Sequence, residues 1–316
     1  MKPFAIADLH CDTLTNCEYK NSENPDTLND PCRMLSLEKI PTDVRWCQFF
    51  AIFIPDEYTG NGADGFYEKN RRNFCRQAEK FKEKMTFCKN ADDMEKAWES
   101  GKTAAFLSVE NGNVLCGSTE RVSLLAEHGV SALTLTWNGE NELGGGVGSD
   151  CGLKQFGKNA VAELEKYGIL ADVSHLNDRS MYDFLEVSEK PFAATHSNVR
   201  SVCGHKRNLT DEFVREMVRR NCLTGLNYYN AFLRDDGAEA DFDDILRHIF
   251  RFLELGAEKC LALGSDFDGA EIPQCINSPE KVANFYEYIV LHGIPEQTAD
   301  LIFFGNARRF LHENLN

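Results

Sequence analysis

The sequence predicts a (β/α)8 TIM barrel with closing C-terminal helices, carried by one domain over residues 1–316. Eight short runs are near-continuously apolar, as parallel strands covered on both faces must be, and helical patterns separate them. Five of those runs stop at a residue able to bind a divalent cation. They are FAIADLHCD with His10 and Asp12, AAFLSVE with Glu110, ILADVSH with His175, FAATH with His196, and LALGSD with Asp266. Ligands delivered at the same end of successive strands meet at one mouth of a parallel barrel.

Strand one covers about 4–12. Strict alternation puts Ile6, Asp8, His10 and Asp12 inward and Ala5, Ala7, Leu9 and Cys11 under the helices. Strand two, 44–54, is followed by helical patterns at 65–88 and 91–100. Strand three, 103–111, precedes a helix at 119–128, and strand four is 130–137. Lys154 to Tyr167 carries Val161, Leu164 and Tyr167 on one face before Gly168, a C-cap residue. Strands five and six are 168–175 and 191–197. Thr210 caps a helix whose first residues, Asp211 and Glu212, suit its dipole. Strand seven, 222–229, is joined by a helix at 241–255 to strand eight, 260–267, where small Gly264 leaves room near a metal. Residues 295–315 read as two closing helices broken at Gly305–Asn306, and Gly144–Gly146 as a loop above the barrel. A doubly wound sheet would place a Gly-rich phosphate loop after strand one, where this chain has HCDTL.

The balance of 50 acidic to 34 basic residues, −16 in all, argues against nucleic acid or an anionic membrane as partner. No apolar stretch approaches a membrane span. The first ligand-bearing strand begins at residue 4, which leaves no room for a signal peptide. With no CxxC pair among the 12 cysteines, they read as reduced thiols in a cytoplasmic protein, with Cys47, Cys222 and Cys260 filling strands as small hydrophobes.

Zinc accepts imidazole nitrogen and carboxylate oxygen, and two metals sharing a carboxylate can activate one water between them. The ligand supply fits that arrangement. His10 and Asp12 would hold one ion, His175 and His196 the other, and Glu110 would bridge. Asp266 is left to take the proton of the water and return it to a leaving amine.

The motifs DLHCDT, VENG, LADVSH, ATHSNVRSVCGHKRNLTDE, GSDFDG and FGNARR resemble those of the membrane (renal) dipeptidase family, within the amidohydrolase superfamily, from near residue 8 to near 309. The resemblance implies two zinc ions per chain and attack of a metal-bridging hydroxide on a small dipeptide, with a D-residue accepted at its C-terminal position. It also implies a homodimer. It gives metal-ligand roles to His10, Asp12, Glu110, His175 and His196, and the acid/base role to Asp266. Arg207 becomes the clamp on the substrate's free carboxylate, as a bidentate guanidinium suits. Tyr229 would line the pocket, in competition with Tyr228 and Asn230. Trp137 stands where well-studied members carry a histidine that polarises the substrate carbonyl. Either Asn138 or Asn141 replaces that group, a metal acts alone, or the substrate differs. The alternative activity is a lactonase, phosphotriesterase-like or N-acyl-D-amino-acid hydrolase on the same barrel. Glu140 or Glu142 is a candidate for binding the substrate amine. His128, His248, His292 and His312 read as surface or helix-end residues.

Overall fold

The computed structural model describes residues 4–15 and 26–315. Nine strands occur among the described residues: β1 Ala5–Cys11, β2 Arg45–Phe53, β3 Met85–Phe87, β4 Thr103–Glu110, β5 Val130–Thr134, β6 Leu170–Asp172, β7 Ala193–Ala194, β8 Leu223–Leu226 and β9 Leu261–Leu263. All pair in parallel, and the circuit β1–β2–β4–β5–β6–β7–β8–β9 closes through β1 and β9. That is the eight-stranded barrel the sequence predicts. β3 is an addition to it. The expected helix over 65–88 stops at Lys80 as α1 (Asn61–Lys80), and Met85–Phe87 then pairs with Thr103–Ala105 of β4. β5 joins β4 only from Leu107 onward, so β3 fills the edge that β5 leaves bare.

The helix ring is α2 Ala91–Glu99, α3 Arg121–Glu127, α4 Gln155–Tyr167, α5 Asp178–Val187, α6 Asp211–Arg219, α7 Asn230–Leu233, α8 Phe242–Glu254, α9 Pro279–Leu291, α10 Glu296–Asp300 and α11 Asn306–Asn314. Caps are local and side-chain made: Thr210 accepts from Phe213 N, and Asp241 and Asp244 form a reciprocal capping box on α8. Gly168, in the left-handed region at φ 70°, closes α4 as expected. Between α10 and α11 the chain runs through a π turn at Leu301–Gly305, so the closing helices are continuous rather than broken there.

Register separates two apolar layers. Ala104, Phe106 and Ser108 alternate on the face of β4 that carries Glu110, and they align with Cys47, Phe49, Ala51 and Phe53 of β2. Inside the barrel, Ala5, Ala7, Leu9, Cys47, Phe49, Phe106, Leu170, Leu223 and Ala262 form one cluster, in which the Phe49 and Phe106 rings stack at 4.8 Å. Ala307, Phe310, Leu311 and Leu315 from the α11 region join that cluster and plug the amino-terminal mouth. Outside, Ile6, Trp46, Phe50, Leu107, Val109 and Leu133 belong to the larger core beneath the helices. The simple alternation expected for β1 is therefore reversed over its first half. Its register shifts between Asp8 and Cys11, and that irregularity turns His10 inward although Ala5, Ala7 and Leu9 also face in.

Candidate metal centre

β6, β7 and β9 are shorter than the apolar runs that encode them, because their carboxyl ends leave the ladder to build a site. Asp172 shows the cause. Its Oδ1 accepts from Ser174 N at 3.1 Å and Thr195 N at 2.9 Å, taking the place of strand partners. Its Oδ2 accepts from Thr134 Oγ1 at 2.6 Å and Thr195 Oγ1 at 2.7 Å. With its own proton given to Asp172, Thr195 Oγ1 receives that of His196 Nδ1 at 2.8 Å, which frees His196 Nε2 as a lone-pair donor. β9 likewise ends early: Asp266 and Asp268 sit in the left-handed region at φ 62° and 65°. Gly264 does not make room for a metal. A Cβ there would lie 1.9 Å from Thr195 O, and one on Gly225 would lie 2.0 Å from the same atom, so both glycines admit the backbone that follows β7.

All six residues expected in the centre converge. Glu110 stands between two donor sets. Its Oε1 lies 2.7 Å from His175 Nε2 and 3.8 Å from His196 Nε2, and those two nitrogens are 3.0 Å apart. Its Oε2 lies 3.6 Å from His10 Nε2, which is 3.5 Å from Asp12 Oδ2 and 4.0 Å from Asp266 Oδ1. Ligands at zinc distances on a tetrahedron stand about 3.3 Å apart. His10 Nε2 and Asp12 Oδ1 are buried with no hydrogen-bond partner among the described residues. Buried polar atoms without partners are expensive, and His10 Nε2 is ringed by oxygens of Asp12, Glu110 and Asp266 within 4.0 Å, so the donor set fits divalent cations. Two three-residue groupings, His10–Glu110–His196 and His10–Asp12–Asp266, have all their ligand atoms within 4.8 Å.

The electrostatics follow from burial and crowding. Burial, then the nearby Arg207 and His10 charges, holds His175 well below the ordinary histidine range; burial and the same neighbours do so for His196. That direction favours the neutral ring, the form that donates a lone pair. Burial followed by the Asp12 charge raises Glu110. Asp266 is raised chiefly by burial, and Asn227 Nδ2 donates to its Oδ2 at 3.0 Å. Burial alone would lower His10, but Glu110, Asp12 and Asp266 outweigh it and push the group up to about 10. Three carboxylates packed around one imidazole are what a divalent charge would neutralise.

Above these groups opens a cleft of about 400 Å³, lined by Asp12, Phe53, Glu110, Trp137, Asn138, His175, Arg207, Tyr229, Phe232 and Asp266 among others. Arg207 is buried, with Phe232 5.3 Å from its guanidinium. Its Nη2 reaches His196 O at 3.4 Å while Nε and Nη1 have no hydrogen-bond partner among the described residues. Burial is the main cause that pulls its pKa down to about 10. Trp137 packs edge-on against Phe53 at 4.9 Å. Tyr229 lines the cleft with its ring 4.8 Å from Phe232, whereas Tyr228 is fully buried against Phe267 and Asn230 is tied to Glu271 O and Ala240 N. Asn138 Oδ1 meets His175 Nδ1 at 3.1 Å. Asn141 is spent on loop contacts, donating to Asn111 Oδ1 of the segment after β4 and to Leu135 O, and accepting from Leu143 N and Gly144 N. Glu140 is exposed and paired with Lys154 at 2.6 Å, and neither it nor Glu142 lines the cleft. His248 is not a surface residue: it is fully buried, with Nδ1 accepting from Val199 N and Nε2 donating to Leu233 O. Thr195 and Asn227 had no sequence signal, because their partners meet only through strand packing.

A parallel barrel with convergent imidazole and carboxylate donors at its carboxyl-terminal mouth defines a metal-dependent hydrolase. The sequence pattern of the membrane dipeptidase family (peptidase family M19) matches residues 1–315, and the chain belongs to that family; it is a hydrolase of the metallo-dipeptidase class. An uncharacterized protein in the pqqA 5′ region of Klebsiella pneumoniae is 28% identical over 239 residues, 72% of this chain and 88% of that protein. An uncharacterized dipeptidase of Schizosaccharomyces pombe is 30% identical over 218 residues, 66% of this chain and 52% of its own length. Among solved structures, the metallopeptidase dipeptidase AC superposes with a TM-score of 0.93 at 24% identity, covering 99% of both chains. A Rhodobacter sphaeroides metallopeptidase bound to a phosphinate mimic of L-Ala-D-Ala superposes with a TM-score of 0.91 at 24% identity, covering 99% of this chain and 100% of that one.

Proposed function

We propose that this protein is a cytoplasmic zinc dipeptidase that holds two ions and cleaves dipeptides, including those with a D-residue at the C-terminal position. The observation that carries the reading is Arg207, a buried guanidinium with two nitrogens that have no hydrogen-bond partner among the described residues, in the cleft that also holds the Glu110-centred donor sets. A hydrolytic centre beside one carboxylate anchor selects a substrate with a free C-terminus. His10 and Asp12 would hold one ion, His175 and His196 the other, and Glu110 would span both. Bound there, the ions would lower the pKa of a water and polarise the scissile carbonyl. Asp266, fixed at Oδ2 by Asn227, would take the water's proton on its other oxygen and deliver it to the departing amine. Arg207 would hold the C-terminal carboxylate, and the cleft, at the small end of the range for ligand sites, suits one dipeptide. The D-residue part is supported by the likeness to the Rhodobacter enzyme, whose ligand mimics L-Ala-D-Ala. The compartment is supported by the described cysteines, all of them free thiols.

The test is amino-acid release by zinc-loaded protein from L-L, L-D and N-acyl-D substrates, with Glu110→Ala as control. Release from dipeptides that vanishes in the control is expected. Metal-loaded protein that releases nothing from dipeptides, but opens lactones or N-acyl-D-amino acids, would overturn the reading.

A further inference from the structure

We propose that Asn138 is the hydrogen-bond donor that holds the scissile carbonyl oxygen as it becomes anionic, a role that rests on the dipeptidase reading. His175 fixes which end of the amide does what. Its Nε2 points into the donor set, 2.7 Å from Glu110 Oε1 and 3.0 Å from His196 Nε2, so with a cation held there that nitrogen is the lone-pair donor and the ring proton sits on Nδ1. The atom 3.1 Å from Nδ1 must then be an acceptor, the Oδ1 of Asn138. With Oδ1 held, the NH2 end is the free one. It makes no hydrogen bond among the described residues, and the residue lines the cleft.

The backbone beneath it is pinned. Asn138 O accepts from Gly148 N at 2.7 Å, and Gly139 N donates to Asp56 Oδ2 at 2.8 Å. Gly146 lies so close that a Cβ would stand 2.0 Å from Trp137 O and 2.8 Å from Asn138 O. A donor held this way needs no reorganisation when charge develops, which is where such groups gain their effect. The other amides near the centre are committed. Asn141 is bonded at both ends, to Asn111 Oδ1 and Leu143 N, and Asn227 donates to Asp266 while its Oδ1 accepts from Tyr229 N. Asn138 stands on the His175 side of Glu110, and Asp266 stands on the His10 side. That separation orients the substrate, with its carbonyl oxygen toward Asn138 and its leaving nitrogen toward Asp266. As water adds to the carbonyl carbon, the π pair moves to oxygen; Asn138 contributes a hydrogen bond to that oxygen and transfers no proton.

Two variants separate donation from mere support of His175. Asn138→Asp keeps an acceptor for His175 Nδ1 and removes the donor, but adds charge. Asn138→Ala adds no charge, but removes the support, whose loss is read as metal affinity and offset by loading with excess zinc. Each variant, at wild-type metal content confirmed by mass spectrometry, is titrated calorimetrically with a phosphinate analogue of Ala-Ala and assayed for kcat and KM. Both variants should lose phosphinate affinity and kcat by about 10²–10³-fold with KM unchanged. Loss in the Asp variant alone would assign the effect to charge repulsion, and loss in the Ala variant alone to ring support; either result overturns the proposal, as does no loss in both. Wild-type protein that neither binds the phosphinate nor cleaves any dipeptide would instead remove the dipeptidase reading.

Discussion

At the scale of single residues, the centre depends on atoms one bond removed from the proposed ligands. Thr195 illustrates this, since its hydroxyl is the link between the Asp172 carboxylate and the His196 ring. Valine matches threonine in shape but breaks the link at both ends. Asp172 Oδ2 would keep Thr134 as a partner, whereas His196 Nδ1–H would be left buried without one. If His196 is a metal ligand as proposed, Thr195→Val should therefore weaken metal binding by about 10–100-fold, the usual cost of losing a group that orients such a histidine. Competition with a chelator of known affinity measures it. Unchanged affinity would mean that packing alone holds the ring.

At the scale of elements, α8 carries a buried histidine whose neutrality is built into the fold. His248 Nδ1 accepts from Val199 N and Nε2 donates to Leu233 O, so a second ring proton would face an N–H. Burial, the largest cause, lowers its pKa to about 4. Because the folded value lies below the ordinary 6.5, the unfolded chain takes up the proton first as pH falls. The contribution is intact above about pH 6.5 and is lost on acidification toward 4, by up to about 3 kcal/mol at 1.36 kcal/mol per pH unit. Urea unfolding between pH 7 and pH 5 should show wild type losing about 2 kcal/mol more than His248→Gln. Equal slopes would place the acid sensitivity elsewhere. The error in reading His248 as a surface residue has a plain cause: helical position says which face a residue is on, and here that face packs on the loop after β7, which local pattern does not reveal.

Across the whole molecule, what was legible in the sequence was the set of strand-end residues. Glu110 follows seven strand residues and His10 follows five, and apolar runs ending in such side chains mark the carboxyl mouth of a barrel without knowledge of packing. Less legible was anything decided by contact between strands: the shifted register that turns His10 inward, the β3 edge strand, and the glycines that admit Thr195 O. The same architecture separates chemistry from stability. The candidate metal centre lies at one mouth, and the other is stoppered by α11, with the Phe49–Phe106 layer between them. Phe310 is fully buried in that stopper, and its truncation leaves a cavity beneath the barrel floor. Phe310→Ala should cost about 3–5 kcal/mol, a large part of the roughly 5–15 kcal/mol that holds a domain together. If the two mouths are independent, kcat and KM of the folded, zinc-loaded variant at low temperature should equal those of wild type while its unfolding midpoint in urea falls. A drop in kcat matching the loss of stability would show that the stopper also sets the geometry of the centre, by shifting the strands whose far ends carry His10, Glu110 and Asp266.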